Sequence, residues 1–577
     1  MAPLSKYRYD PGDASHLCLS NGWFTDDDAR YCLFRGVNIS SKGKRYPFLP
    51  FALPTMTLLP AEAEALDLPA EHLRAGLKAL SDVGFNVIRL IVPWKAVAST
   101  LPTGKELEPN AKRYLANLQE VIRQFQALGM FVIVDFHQDI AHDLYGGDGF
   151  PDWAMGVDDD HELPDSIPRP DKHWQSRYYF NDLVKNTLRS FWDNKTTNLN
   201  FGANEIAVQQ RMIDAMAATA EYLRGDPVTS RAILGYELFN EPANAPPPFG
   251  FGKRKFEEGK LAPFYNAALT ALRQKDSKAF VLIEPRVDWN IFPSNVCELP
   301  FPLPSGWLDW LPLPFANADQ IESFLPRVCD DDRLVFAFHY YDPWTILWSS
   351  IGQPDKMSNK QAEWPAIYRT MLAKAKQLDM APFITEFGAD HDWDRFGCDL
   401  DPNRNQTQEY LDLAYSQLEA NLLSGTQWVC DLYYDPTTGD ANWNQEKFSI
   451  LDQHGNLQAG TDKVIARPYP QRSSAIPRNI LFDSKKSQGI IILQGKPVDA
   501  PTVIFVPRVI HYPDKFEIHT ASDDFDFCWN DDNQLLYWQP GLSDGPHFVI
   551  ICKPGQCDTG MLPGDLASTE LISAVYP

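Results

Sequence analysis

Basic residues are scarce in this chain. Its 577 residues carry 52 Lys and Arg against 76 Asp and Glu, a formal net charge of −24. No positive field exists to draw phosphates, which excludes a nucleic-acid partner, and docking on an anionic membrane is disfavoured for the same reason. An apolar run long enough for a transmembrane segment is missing as well. So are a Gly-rich phosphate loop and a His-Glu-x-x-His pair, and the nine cysteines, scattered from Cys18 to Cys557, never adopt metal-ligand spacing. The expectation is a protein with no metal and no other cofactor. Cys552 and Cys557 are near enough in sequence to bridge, though nothing in the pattern requires it. Residues 1–10 lack the apolar core of a leader peptide. A reduced, cytoplasmic location fits that reading, and a mature secreted form would look the same.

Aromatic residues, by contrast, are plentiful: 12 % of the chain, with 16 Trp and 22 Tyr. Such rings fill cores, and their apolar faces also stack on sugars. More telling are two glutamates that close apolar strands, in Tyr236-Glu237-Leu238-Phe239-Asn240-Glu241-Pro242 and in Ile384-Thr385-Glu386-Phe387-Gly388. A buried acid at a strand end costs desolvation energy unless it is paired or used. Two such acids facing one another are the minimum equipment for glycosidic hydrolysis, in which one carboxyl donates a proton while the other attacks or activates water.

Short apolar runs at 31–37, 87–90, 131–136, 233–239, 280–283, 334–340, 383–387 and 426–432 read as eight strands. Stretches of helical period lie between many of them, at 71–83, 111–128, 208–224, 262–274, 361–378 and 406–423. Strand–helix alternation on this scale predicts an α/β fold, a (β/α)8 TIM barrel, over residues 1–465 with an N-terminal extension. Closely spaced prolines then predict a linker over 466–478, and short strands with turn residues predict an all-β sandwich over 479–577. That sandwich is read as structural; a surface-binding role would require Trp529 and Trp538 to be exposed together. Two long loops, 145–204 and 285–333, fall on the catalytic face of such a barrel, and their Trp153, Trp174, Trp192, Trp307 and Trp310 are read as shaping the substrate site.

Right-handed crossovers place all eight strand ends on one face. That gathers Arg89 of the second strand, His137 and Asp139 of the third, Asn240 and Glu241 of the fourth, His339 and Tyr341 of the sixth, Glu386 of the seventh and Trp428 of the eighth. Glu237 lies a pleat earlier and is expected to line the barrel.

The segments Arg35-Gly36-Val37-Asn38, Gly84-Phe85-Asn86-Val87-Ile88-Arg89-Leu90, Val134-Asp135-Phe136-His137-Gln138-Asp139, Phe239-Asn240-Glu241-Pro242, Phe338-His339-Tyr340-Tyr341 and Ile384-Thr385-Glu386-Phe387-Gly388, in this order, resemble glycoside hydrolase family 5. The His137-Gln138-Asp139 ending and the Arg467-Pro468-Tyr469-Pro470 stretch resemble its endoglycoceramidase branch and the related glucocerebrosidases. The resemblance implies Glu241 as acid/base and Glu386 as nucleophile of a retaining reaction. It also implies Asn240 at the sugar 2-hydroxyl, Arg89 holding Glu386 ionised, His137 and His339 lining the site, Tyr341 bonded to the nucleophile and Trp428 beneath the sugar. Asp139 is read as a ligand of sugar hydroxyls or as half of a structural ion pair. The implied substrate is a glycolipid or other β-glucoside with an apolar aglycone, such as glucosylceramide or a steryl glucoside. Release of whole glycans from glycosphingolipids and general exo-β-glucosidase action are the alternatives. A barrel retired to mere carbohydrate binding normally loses one carboxylate, and both are present here.

Overall fold

The computed structural model describes residues 12–98, 107–155, 174, 177–194, 207–245, 252–287, 323–342, 364–391, 406–524 and 526–577. Three short strands come first: β1 (Cys18–Ser20), β2 (Trp23–Thr25) and β3 (Tyr31–Cys32). The eight strands of a closed barrel follow: β4 (Arg35–Ile39), β5 (Val87–Pro93), β6 (Phe131–His137), β7 (Ile233–Glu237), β8 (Phe280–Ile283), β9 (Leu334–His339), β10 (Ala381–Phe387) and β11 (Ser424–Cys430). Neighbouring strands pair in parallel all the way round, and β11 closes on β4 through Gly425 and Arg35. The expected helices form as Ala70–Asp82, Pro109–Ala127, Val208–Arg224, Ala262–Arg273, Trp364–Gln377 and Gln406–Ala420. In Pro109–Ala127 a proline fits the first turn, and Leu115, Leu118, Val121, Ile122 and Phe125 recur at helical spacing on the buried face.

Strand periodicity sorts the side chains. In β5, Ile88, Leu90 and Val92 pack under the helices, whereas Val87, Arg89 and Ile91 face the barrel interior. A bulge in β7, where Val132 pairs with Ile233 but the next residue, Ile133, pairs with Gly235, brings both Leu234 and Glu237 inward despite their odd spacing. The interior is apolar at the bottom, where Phe34, Phe131, Phe280 and Phe383 meet. The N-terminal segment plugs that end: Phe24 sets its ring edge-on to Phe34 at 5.2 Å and to Phe280 at 5.1 Å. Polar groups are thereby confined to the top.

The sequence reading is corrected at both domain limits. The predicted first strand splits: Tyr31–Cys32 belongs to a different sheet from Arg35–Ile39. The predicted linker is largely strand, β12 (Tyr469–Ser473) and the start of β13 (Ile476–Asp483). The remaining strands are β14 (Gln488–Gln494), β15 (Thr502–Phe505), β16 (Phe516–Ala521), β17 (Phe527–Asn530), β18 (Leu535–Trp538), β19 (Pro546–Cys552) and β20 (Leu571–Tyr576). They form an antiparallel sandwich, one sheet ordered β1-β2-β3-β12-β15-β18-β17 and the other β13-β14-β19-β16-β20. The second domain therefore borrows three strands from the N-terminus. Proline could enter β12 because the pairing with β15 shifts register between Pro470 and Arg472. The join to the barrel is tight. Arg467 donates to Glu419 at 2.9 Å, and the Tyr469 hydroxyl donates to the Gly84 carbonyl at 2.7 Å. Gly84 itself has φ +79°, and a Cβ there would meet the Phe505 ring at 2.3 Å.

Trp538 is buried, which removes the exposed pair that a sugar-binding sandwich surface would need. Cys552 and Cys557 are free thiols. Among the described residues, no helix is long and apolar enough to cross a membrane. Trp153 and Trp192 serve packing: Trp153 lies 5.1 Å from Trp94, and Trp192 donates to the Ala243 carbonyl at 2.8 Å. Trp307 and Trp310 lie outside the described residues.

Candidate active site

A guanidinium organises the top of the barrel. Arg89, fully buried on β5, donates from Nε to Glu237 at 2.6 Å and from Nη1 to Glu386 at 2.6 Å. It also donates to the amide oxygens of Asn38 at 2.9 Å and Asn240 at 2.8 Å, and its Nη2 lies 3.1 Å from Asp135. One cation thus serves three carboxylates, with a fourth, Glu284, at 3.9 Å. Charge of that density is tolerable only if a proton stays behind. Burial first, and then the charge of Glu237, push the Glu284 carboxyl well above its usual range, so it remains neutral.

Glu241 and Glu386 meet across this hub. An oxygen of each and a ring nitrogen of His339 all lie within 4.8 Å of one another. The Nδ1 of His339 is 3.0 Å from Glu241 Oε1 and 3.6 Å from Glu386 Oε2. The Tyr341 hydroxyl donates to Glu386 Oε2 at 3.0 Å. A spacing this short matches a carboxylate that attacks the sugar directly rather than through an interposed water. Glu241 holds a left-handed backbone, φ 44°, which costs an L-residue about 1–2 kcal/mol. Its turn is fixed by Gln138, whose amide donates to the carbonyls of Asn240 at 2.9 Å and Glu241 at 3.2 Å. From below, Glu284 accepts the Glu241 backbone N–H at 3.2 Å.

The two carboxyls are electrostatically unequal. Burial pushes Glu241 up to about 8; Asp139 adds to the rise, and His137, Lys44 and Arg89 oppose it. Repulsion therefore comes chiefly from Asp139. Burial also raises Glu386, but His339 and Arg89 pull it back. The proton leaves Glu386 first and stays on Glu241. Burial lowers His339 below its usual range, and the charge of Glu386 opposes that shift. Burial opposes a charge on His137 too, but Asp135 and Asp139 outweigh it and raise the imidazole to about 10.

Trp428 forms the floor, its ring parallel within 9° to that of His137 at 6.0 Å. Asp139 turns out to pair with Lys44 at 2.5 Å, while His137 Nε2 stands 3.2 Å away. The Lys44 ammonium rests between two indoles, 4.3 Å from the Trp428 ring centre and 4.5 Å from that of Trp443. Burial opposes its charge, yet Asp139, Asp148 and Glu446 hold it above its usual range. Trp174 donates to Glu446 at 2.6 Å, and Asn444 donates to the Gly146 carbonyl at 3.2 Å, so loops from distant parts of the chain meet here. Glu446 acts on Tyr341 as well: burial, then Glu386, Glu241 and Glu446, push the phenol well above its usual range. His137, Asp139 and Asp148 also come within 4.8 Å as potential metal ligands, but Lys44 already supplies their counter-charge.

Every residue predicted from the sequence, Arg89, His137, Asp139, Asn240, Glu241, His339, Tyr341, Glu386 and Trp428, is thus brought into one constellation. The reading missed Lys44, Asp135, Glu284, Trp443 and Glu446. Only Glu284 carried a usable signal, since it closes the apolar strand β8 as Glu386 nearly closes β10.

A family model described as "Cellulase (glycosyl hydrolase family 5)" matches residues 68–431, and one for the "Glycoside hydrolase family 5 C-terminal domain" matches 467–550. Endoglycoceramidase I of Rhodococcus hoagii is 24 % identical over 580 residues, covering 97 % of this chain and 91 % of that protein. Among solved structures, sterylglucosidase 1 of Cryptococcus neoformans superposes with a TM-score of 0.68 at 16 % identity, covering 96 % of this chain and 99 % of that one. Endo-glycoceramidase II from Rhodococcus sp., in complex with ganglioside GM3, gives 0.63 at 20 % identity, covering 93 % and 100 %.

Proposed function

Because this chain belongs to glycosyl hydrolase family 5, we propose that it is a retaining β-glucosidase that removes one terminal glucose from a lipid-like aglycone. Glu386 attacks the anomeric carbon while Glu241 delivers its proton to the glycosidic oxygen, and the aglycone departs as an alcohol. The glycosyl ester neutralises Glu386. Glu241, now ionised, takes a proton from water, whose oxygen displaces Glu386 and leaves the sugar in its original configuration. Asn240, oriented by Arg89 and Gln138, meets the 2-hydroxyl.

The observation that supports the one-sugar reading is the buried carboxylate of Glu446 beside the catalytic cluster. Glu446 is fixed by Trp174, and its charge acts on both Lys44 and Tyr341. The lipid-like aglycone is supported by the relatives, whose names specify ceramide or sterol glycosides. Endoglycoceramidase action is the second reading, favoured by a Rhodococcus hoagii relative that spans nearly the whole chain.

Products decide between them. Incubation with glucosylceramide and a steryl glucoside is expected to release glucose, and ganglioside GM3 to remain intact. Oligosaccharide released from GM3 would establish the endo reading instead. Burying even two or three methylenes of tail is worth about 2 kcal/mol, so kcat/KM should exceed that for cellobiose by about 30-fold. Preference for cello-oligosaccharides would defeat both lipid readings.

Glu241 must hold its proton before the first step, so activity is expected to be full below its titration and to fall as pH rises through about 8. Glu241→Ala should remove that alkaline limb. It should also slow alkyl glucosides by at least about 100-fold while barely affecting formation of the glycosyl-enzyme from dinitrophenyl glucoside, whose leaving group needs no proton. Equal losses on both substrates would show that Glu241 is not the acid.

A further inference from the structure

We infer that His519, Cys552 and Cys557 form a binding site for a thiophilic divalent cation of the zinc type, in the C-terminal sandwich and separate from the acids of the barrel. A ring nitrogen of His519 and the two sulfurs lie within 4.8 Å of one another.

Strand pairing brings the three together. In β16, Phe516 and Ile518 turn into the core between the two sheets, so Glu517 and His519 stand on the outer face. Cys552 ends β19 opposite Glu517, two residues beyond Ile550, which pairs with His519. The chain then turns at Gly555, where φ is +69°, and returns as β20 on the far side of β16. On the way Cys557 joins the apolar cluster of Ile550, Leu562 and Leu566 that covers this face. Gln488 of β14 pins the next residue twice: its amide donates to the Asp558 carbonyl at 2.7 Å and accepts the Asp558 N–H at 2.7 Å.

Donor set and spacing suit one such ion. Bonds of about 2.3 Å to sulfur and about 2.0 Å to nitrogen, at tetrahedral angles, put neighbouring donors roughly 3.5–3.8 Å apart. The three atoms lie within about 1 Å of that arrangement. Two thiolates and a neutral imidazole cancel a divalent charge, so the ion can rest on a buried thiol without a further counter-ion. Cys552 is buried, and its thiol donates to a weakly placed acceptor, the Glu517 carbonyl at 3.6 Å. Cys557 is half-buried, which gives the ion and its fourth ligand access from solvent. His519 Nε2 is enclosed without a hydrogen-bond partner among the described residues, and Glu517 Oε1 stands 3.4 Å away. A ligating imidazole keeps one nitrogen on the metal and turns the other to such a carboxylate. Glu517 is held for that role by the Gly555 N–H, 2.7 Å from its Oε2. A disulfide between the same cysteines would consume both sulfurs and leave the histidine unsatisfied.

The test uses the full chain, reduced and stripped with a chelator. Cys18→Ser and Cys329→Ser form the background, because those two thiols are exposed. This protein is expected to take up one equivalent of Zn2+ in a calorimetric titration. Co2+ in its place should give the strong visible bands of a tetrahedral ion together with sulfur-to-metal charge transfer. Cys557→Ser and His519→Ala, each added to the background, should weaken Zn2+ binding by at least about 100-fold, and Glu517→Gln by about 10-fold. Saturating Zn2+ should raise the Tm of the background protein and leave that of Cys557→Ser where it was. The serine is nearly isosteric at a half-buried position, so that variant keeps its fold. Zn2+ uptake undiminished in Cys557→Ser, a cobalt spectrum without sulfur bands, or no uptake by the reduced protein would each overturn the inference. So would recovery of Cys552 and Cys557 as a disulfide from a reducing lysate.

Discussion

Replacement of Glu386 by alanine is expected to lower kcat by about 10⁵-fold or more, as loss of a covalent nucleophile does elsewhere. Among the described residues, no other carboxylate at the site is placed to take over. Glu237 and Asp135 are committed to Arg89 and wholly buried, and Glu284 is neutral. The variant should stay folded, since removing an acid from a hub already rich in acids relieves repulsion. Azide gives the sharper measurement. In Glu386→Ala it fits the vacated space and attacks from that side while Glu241 still protonates the leaving group, so the α-glycosyl azide forms. In Glu241→Ala the glycosyl-enzyme still forms from an activated substrate, azide replaces water, and the β-azide results. The same anomer from both variants would mean that the roles are assigned wrongly.

The second large effect is expected at Arg89. Arg89→Met leaves Glu237, Asp135 and Glu386 buried without their cation, and breaking such a pair from one side costs about 3–5 kcal/mol. Denaturant unfolding should show a loss of that size. Catalysis should change in a specific direction as well. Without the guanidinium the Glu386 carboxyl rises further, so the acid limb of kcat/KM moves to higher pH, while the alkaline limb is set by Glu241. Arg89→Lys should recover only part of either loss, because one ammonium cannot reproduce a fork that reaches Glu237, Glu386, Asn38 and Asn240 together. An Arg89→Met protein as stable as the wild type, with an unmoved acid limb, would contradict this account.

The places where sequence reading failed share a cause. A four- to seven-residue barrel strand announces itself by a continuous apolar run, whereas β1, β2 and β3 have two or three residues each and no period to detect. Their pairing is also remote: Tyr31 and Cys32 meet Ser473 and Arg472. Prolines 468 and 470 argued for a linker because the register shift that admits them is a property of the paired strand. Trp153 and Trp174 stand in the same loop and look alike in sequence, yet one packs on Trp94 and the other bonds Glu446.

By itself the sequence determined the barrel, the family, the strand ends and the two glutamates that meet there. Each is written in local pattern, as buried runs of fixed period closed by a side chain too costly to bury idle. The tertiary structure alone decided which charges act on the two carboxyls and which distant stretches of chain meet beside them. Glu241 is raised mainly by burial and then by Asp139, a residue on another strand end, and Glu386 is restrained by His339 and Arg89. Lys44, Trp174 and Glu446 come from three separate stretches of chain and are held by an ion pair and an indole hydrogen bond. Charge interactions and desolvation depend on distance in space, and no periodicity along the chain encodes the distance between side chains that folding brings together.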